Sequence, residues 1–351
     1  MTKHIAHVES AVKKWLQPDN FALKKAIDKT VSEGLFSTED IRYQIRVLKR
    51  NVESGQIREW AERSGLKDER SAAGKKVLCL HAGNLPLVGF QTALGVILSG
   101  ADYYGKLSRK DPYLMQSFLK LAEHELTGSE IQFSTDLNAF RELNADEVIF
   151  AGSEDSVEVI KKEIAGIKAT RAEAGYHIRT AKYSMVYLDN KDPETMKDFA
   201  EAVLRYEGQG CRSVAIVVSP YRLDSFKCEM TDYIELFWMH NPPEGKVSPG
   251  VEYQFAFNKA IERSQAWLDH FLIQETDELP KYDRVVNWVP GDEAKVREMV
   301  SKAGKQLQSV YTTGNRIEGV ETELVSKAQR PDLWWKPDGV DVIRTLINNE
   351  R

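Results

Sequence analysis

Apolar positions near the start of the chain recur at helical spacing. Ile5, Val8, Val12, Trp15 and Leu16 fall on one stripe and predict an amphipathic helix. Ser37-Thr-Glu-Asp40 offers a capping-box-like start for a second helix through Asn51, and a third, shorter helix is expected over Gln56–Ser64. Charges of both signs share the outer faces, so this part reads as a solvated helical lead-in. From Lys76 the period changes. Val77–Leu80 predicts a buried strand, followed by the loop His81-Ala-Gly-Asn-Leu-Pro86 and a helix that Gly100 stops near Ser99. Asp102–Leu107 predicts a strand with Lys106 near its end, and Ser108-Arg-Lys-Asp-Pro112 opens a helix with Pro112 in its first turn. Val148–Ala151 predicts another strand, ending in Gly152-Ser153 and a helix to about Ala165.

The same alternation continues. Met185–Leu188 and Val214–Val218 read as strands, with a helix over Pro193–Arg205 between them. A helical stretch, a Pro/Gly loop over Asn241–Pro249, a helix near Val251–Asp269, a strand over Val285–Val289 and a helix over Asp292–Ala303 follow. The aromatic, turn-rich run Pro331–Gly339 leads into a terminal helix. Strand, turn and helix repeated in this way predict parallel sheets with right-handed crossovers, and ligands of such sheets sit at the carboxyl ends of the strands. Asn84, Lys106 and Gly152 all fall at such ends. No internal repeat or low-complexity tract interrupts the pattern.

Composition narrows the class. The chain has 351 residues, 42% of them apolar and 29% charged, enough for two domains and a substantial core. A formal net charge of −5 gives no global electrostatic case for nucleic acid or an anionic membrane as main partner. Cys79, Cys211 and Cys228 are few, odd in number and without C-x-x-C spacing, which argues for a reducing compartment and against a disulfide framework or a zinc site. The N-terminal residues lack the apolar core of a signal peptide, and the apolar run around Leu85–Leu98 is too interrupted to span a bilayer. The expectation is a soluble, cytoplasmic protein.

The chemistry centres on Tyr206–Pro220, Y-E-G-Q-G-C-R-S-V-A-I-V-V-S-P. Gly208 and Gly210 permit a sharp turn and close approach of a substrate carbonyl, while the apolar run from Val214 fixes Cys211 at the mouth of a buried strand. A thiol beside Arg212 or a row of backbone N–H groups is a candidate nucleophile. The same residues also describe an ordinary loop entering a core strand over a small apolar side chain. Asn84 is either the N-cap of the helix that Pro86 begins or an amide donor to a developing oxyanion. Lys106, Ser108 and Arg109 are either a solvated basic turn or a grip on ribose hydroxyls and a phosphate. Gly152-Ser153 is either an ordinary helix start or a seat for a pyrophosphate. His177 and Glu207 are the titratable groups near the cysteine motif with an acid/base or a structural role open to them.

Taken together, H-A-G-N-L-P at 81–86, G-K-L-S-R-K-D-P at 105–112, F-A-G-S at 150–153, K-Y-S-M-V-Y at 182–187, E-G-Q-G-C-R-S at 207–213 and the W-W-K-P-D-G ending resemble the acyl-CoA reductase (LuxC) family of the aldehyde dehydrogenase superfamily. The resemblance implies an α/β, aldehyde dehydrogenase-like fold of two lobes with parallel sheets. It divides the chain into a helical lead-in (1–70), a dinucleotide-binding domain (71–180), a cysteine-bearing catalytic domain (181–325) and a C-terminal segment (326–351) able to pack back on the first lobe. It also implies that Cys211 is the nucleophile and Asn84 the oxyanion donor. Lys106 would hold the adenosine ribose, Ser108 and Arg109 set cofactor preference, and Gly152 and Ser153 begin the pyrophosphate-binding helix.

The implied activity is NADPH-dependent reduction of an acyl-CoA or acyl-protein thioester to an aldehyde, with NADH as the other cofactor open. Partners implied are the acyl-CoA or acyl-carrier substrate, and either a homo-oligomer or an acyl-transferring protein. Two departures stand out. Aligned on Lys182, the place of the superfamily's general-base glutamate is Ile178, which suits thioester reduction better than aldehyde oxidation. The second glycine of the pyrophosphate turn is Val157. The other readings are an NAD(P)-dependent aldehyde dehydrogenase, and a binding subunit that kept the fold without the chemistry.

Overall fold

In a computed structural model, residues 3–66, 71–243 and 246–348 are described. The expected end of the lead-in at 67–70, and residues 244–245 within the expected Asn241–Pro249 loop, lie outside them. The chain divides into two compact units, Met1–Ala181 with Asp332–Arg351, and Lys182–Pro331.

The first unit opens with α1 (Lys3–Trp15), α2 (Phe21–Ser32), α3 (Thr38–Glu53) and α4 (Gln56–Arg63). The stripe on α1 is buried as its spacing predicts, and Trp15 donates to Ser117 Oγ at 2.9 Å while stacking on Phe90. Side-chain oxygens of Asn20 and Ser37 accept the Leu23 and Asp40 N–H groups at 2.9 and 3.1 Å, capping α2 and α3. The apolar pattern did not predict α2, whose buried face is only Leu23, Ala26 and Thr30.

Then come β1 (Lys76–Leu80), α5 (Phe90–Ser99), β2 (Asp102–Lys106), α6 (Leu114–Glu125), β3 (Ile131–Ser134), β4 (Ala145–Gly152), α7 (Val157–Gly166) and β5 (Thr170–Thr180). The sheet order is β3-β2-β1-β4-β5, all neighbours parallel. Chain order reverses between β1 and β4, which opens a crevice at their carboxyl ends. The register sets Lys106 beside Leu80 and Ser134, and Phe150 beside Leu80 and Ile178. Helix α5 is buried on all sides, and Val342, Ile343 and Leu346 of the terminal helix Val342–Ile347 join its core cluster. Gln91 donates to the Leu333 and Trp335 carbonyls at 2.7 and 2.5 Å, and Ser64 to the Asp341 carboxylate. The aromatic ending is thus part of this unit's core.

The second unit contains β6 (Tyr183–Tyr187), α8 (Pro193–Leu204), β7 (Val214–Ser219), α9 (Leu223–His240), α10 (Pro249–Ala260), β8 (Gln265–Leu268), β9 (Phe271–Glu275), β10 (Val285–Pro290), α11 (Glu293–Ala303), β11 (Leu307–Thr312) and β12 (Glu323–Leu324). Its sheet runs β12-β11-β6-β7-β10-β9-β8, parallel except for the β8–β9 pair. Helices α8 and α9 cover one face around Phe199, Phe226 and Trp288, and α11 covers the other through Val296 and Met299. The expected helix near Val251–Asp269 ends at Ala260, and the chain then returns as β8. The hairpin turns at Asp269-His270, with Asp269 in the left-handed region (φ 54°). Among the described residues no helix is long and apolar enough to cross a membrane.

Ile343 is fully buried at the junction of the terminal helix and α5. Ile343→Ala should lower the unfolding free energy by about 2–5 kcal/mol in urea titration, the cost of lost transfer energy plus a cavity. A wild-type midpoint would show that this anchor carries no stability.

Candidate functional site

Cys211 stands three residues before β7, and the path into it is unusual. After α8 the chain passes through Tyr206 and Glu207 with φ of 55°, then Gly208 at +72°. Non-glycine residues resist this region by about 1–2 kcal/mol each, so the surroundings must hold them there. Gly208 also lies where a Cβ would stand 3.0 Å from the Phe271 ring. Glu207 is ion-paired with Arg284, and buried Arg205 is held by Glu201 and Asn241. Downstream, Gly210 and Ser213 close a tight turn, with Ser213 N donating to Gly210 O at 2.8 Å and Gly210 N to Ser213 Oγ at 3.2 Å. Ser184 Oγ donates to the Cys211 carbonyl at 2.9 Å. The thiol-bearing residue itself is half-buried.

Arg212 is buried beside it. Its guanidinium donates to the Ala328 and Lys327 carbonyls at 2.7 and 2.9 Å, grips the Glu323 carboxylate at 2.9 and 3.3 Å, and lies over Tyr311. Burial opposes its charge, but Tyr311, Glu323 and Cys211 outweigh burial and raise its pKa. The sequence placed Arg212 as a cation beside the thiol; the structure adds that it clamps the whole segment.

In the first unit the carboxyl ends of β1, β2 and β4 carry the remaining candidates. Asn84 lies exposed in the irregular segment between β1 and α5. It is not a helix cap, because α5 begins only at Phe90, after Gly89. Lys106 ends β2 half-buried. Burial first, and then the like charge of Arg109, push its ammonium below the ordinary value, against the pull of Glu163. Arg109 is exposed, and Pro112 precedes α6 instead of standing in its first turn. Ser108 packs against Gly83 so closely that a Cβ there would come within 2.2 Å of Ser108 Oγ, which ties the loops after β1 and β2 together. Gly152 ends β4, and Ser153 leads into a short 3-10 turn before α7. Its hydroxyl donates to Ser156 Oγ at 3.0 Å and does not cap the helix. His177 pairs with Glu147 at 3.0 Å, a structural use within the sheet.

Two supporting residues escaped the sequence reading. Asp111 is buried and accepts the Leu87 N–H at 2.7 Å, pinning the segment that carries Asn84, with Leu87 at a left-handed φ of 59°. Burial pushes its carboxyl up to about 6, against backbone N–H groups of Leu87, Leu114 and Met115. His81 is buried against Tyr103 Oη at 2.7 Å. Burial, then Arg179 and Lys106, lower it to about 4, so it stays neutral at physiological pH. A polar residue directly after a buried strand, and an aspartate before proline at a helix start, were the signals available.

Two α/β units, one built on a five-stranded parallel sheet and one on a seven-stranded sheet, have an aldehyde dehydrogenase-like fold. Solved structures with this fold include the substrate-bound state of Staphylococcus aureus AldH (12% identity, 92% of this chain and 80% of that one, TM-score 0.60). Aldehyde dehydrogenase 21 from Physcomitrella patens in complex with succinate is similar too (12% identity, 92% and 80% covered, TM-score 0.55). So is the bifunctional proline utilization A protein (13% identity, 88% of this chain, TM-score 0.55), of whose length this chain spans 38%. At these identities the likeness is one of fold. No curated protein matches the sequence. The chain belongs to the acyl-CoA reductase (LuxC) family, which matches residues 5–227. The family's description is that of an oxidoreductase, an acyl-CoA reductase.

Cys79 is fully buried, and burial pushes its thiol up. Iodoacetamide on the native protein should therefore label Cys211 and Cys228 and spare Cys79, read by peptide mass mapping; labelling of Cys79 at the rate of Cys211 would contradict the placement.

The two buried titratable groups pull stability in opposite directions with pH. His81 resists protonation down to about 4 against an ordinary 6.5, so its contribution is full above 6.5 and is lost as pH falls toward 4. Asp111 holds its proton up to about 6 against an ordinary 3.8, so its contribution is full below 3.8 and is lost as pH rises through 6. His81→Gln should relieve the loss at acid pH, and Asp111→Asn the loss near neutrality. Urea midpoints across that range check both; parallel profiles for wild type and variants would contradict these environments.

Proposed function

We propose that this protein reduces an acyl-CoA or acyl-protein thioester to the aldehyde with NADPH, through an acyl group carried on Cys211. The observation that carries the reading is the half-buried thiol held rigidly at the head of β7, between a strained left-handed turn and the buried Arg212 clamp. Strain held in place by surrounding contacts is a mark of functional positions. Cys79 has no access, and Cys228 lies exposed on α9 without such a frame.

A nicotinamide cofactor fits the first unit on one observation. Lys106 is half-buried at the strand end, where burial first and then the like charge of Arg109 depress it, and an anionic phosphate or ribose-linked group there relieves the repulsion between the two cations. Lys106 and Ser108 are the proposed ribose contacts, Arg109 the proposed partner of a 2′-phosphate, and Gly152 and Ser153 the approach to a pyrophosphate. A bound reduced nicotinamide supplies the hydride that the reaction needs.

The chain's own residues do the rest. The Cys211 thiolate attacks the thioester carbonyl, and the carrier thiol leaves with a proton. Asn84 is the proposed side-chain donor to the developing oxyanion. After reduction, the carbonyl re-forms as the aldehyde and the Cys211 thiolate is expelled. The position that the family resemblance gives to a water-activating base is Ile178, packed with the core around Phe150. An apolar side chain there protects an acyl-enzyme from hydrolysis and favours reduction over oxidation to an acid.

NADPH oxidation should depend on added acyl-CoA and yield aldehyde. Asn84→Ala should lower kcat by roughly 10²–10³ without loss of fold. Arg109→Ala should cut the preference for NADPH over NADH by roughly tenfold or more, the weight of a charged hydrogen bond. Acyl-CoA-independent oxidation, or wild-type turnover in Asn84→Ala, would overturn the assigned roles.

A further inference from the structure

Beyond the segment that the family matches, residues 5–227, the second unit holds a cavity of about 120 Å³. One water needs only ~10–15 Å³ of such space, so a small organic ligand fits. Its polar wall is built from buried amides. Asn287 Nδ2 donates to the Glu278 carbonyl at 2.9 Å. A backbone carbonyl can only accept, so Asn287 Oδ1 must face Gln274, whose Nε2 donates to it at 2.8 Å. Gln274 Oε1 then accepts from Asn258 Nδ2 at 2.7 Å, and Asn258 Oδ1 from Gln254 Nε2 at 2.9 Å. The polarity of the whole relay is fixed from one end. It leaves Gln254 Oε1, on a side chain only 7% exposed that lines the cavity, as an acceptor with no hydrogen bond from the described residues.

Charge supplies the second contact. Arg263 Nη1 leans on Asn258 Oδ1 at 3.4 Å and Gln274 Oε1 at 3.5 Å, so its guanidinium stands over the middle of the relay, one member from Gln254, and lines the same cavity. Glu278 is 3.9 Å from Arg263, beyond hydrogen bonding, and instead takes Lys281 at 2.5 Å. The Lys281 contact holds the Glu278 carboxyl below its ordinary range, so the acid is ionised at neutral pH. Two cations against one anion leave the lining with a net positive charge. Phe257, Tyr282 and Val285 provide apolar surface.

We infer that this cavity binds a small hydroxycarboxylate, with its carboxylate on Arg263 and its hydroxyl donating to Gln254 Oε1. The net charge of the lining matches a monoanion better than a zwitterion of the same shape. This site goes beyond the reductase reading and does not depend on it.

Calorimetric titration of the full-length protein with 3-hydroxybutyrate, butyrate and 3-hydroxybutyramide tests the inference. The first should bind, and the other two, each lacking one contact, should bind roughly tenfold or more weakly. Arg263→Gln should bring 3-hydroxybutyrate down to the level of the amide, and Gln254→Met to the level of butyrate, with thermal melts confirming that both fold. Should Gln254→Met fail to fold, Arg263→Gln and the three probes on the wild-type protein still decide. No binding of 3-hydroxybutyrate, equal affinity for all three probes, or binding unchanged in Arg263→Gln overturns the assignment.

Discussion

A guanidinium cannot be left uncompensated inside a protein, and the burial of Arg212 organises much of the second unit around that requirement. Two carbonyls from Lys327 and Ala328, the Glu323 carboxylate and the Tyr311 ring are drawn onto one side chain. This fixes the stretch after β11 against the turn that carries Cys211. The left-handed residues Tyr206 and Glu207 store strain in the same turn, and Ser184 holds the cysteine carbonyl. A nucleophile gains from such fixation because less motion has to be frozen when the reacting atoms meet.

The first unit applies a different constraint, the shared carboxyl edge of a parallel sheet. Because β1, β2 and β4 are neighbours in register, the loops after them emerge side by side, and Lys106, Ser108, Gly83 and the Asn84 segment become one surface. Asp111 and His81 lie beneath it, one pinning a backbone N–H and the other filling space as a neutral ring. Burial disfavours the charged form of both, so the polar surface above rests on a neutral imidazole and on a carboxyl held by the Leu87 N–H.

Much of this was legible in the sequence because burial leaves a strong period. Val77–Leu80 and Val214–Val218 are central strands covered on both faces, and their continuous apolar runs announce them. Thr170–Thr180 was not legible: it is an edge strand carrying Arg171 and Glu173, with little apolar signal. Strand β8 was read as the end of a helix because the turn that follows it is Asp269-His270, without the glycine that usually marks a hairpin. Asn84 looked like a helix cap because Asn and Pro stand where a helix start would put them, yet the chain needs the left-handed Leu87 before α5 can begin. Contacts distant in sequence, such as Arg212 with Glu323, leave no local pattern to read.

The central claim is that Cys211 takes the acyl group. Incubating the protein with an acyl-CoA in the absence of reductant, followed by intact-mass measurement and peptide mapping, reads this directly. The account predicts one acyl adduct, mapped to Cys211, absent in Cys211→Ala, and discharged as aldehyde when NADPH is added. An unmodified protein, or an adduct that maps elsewhere and persists in Cys211→Ala, would contradict it.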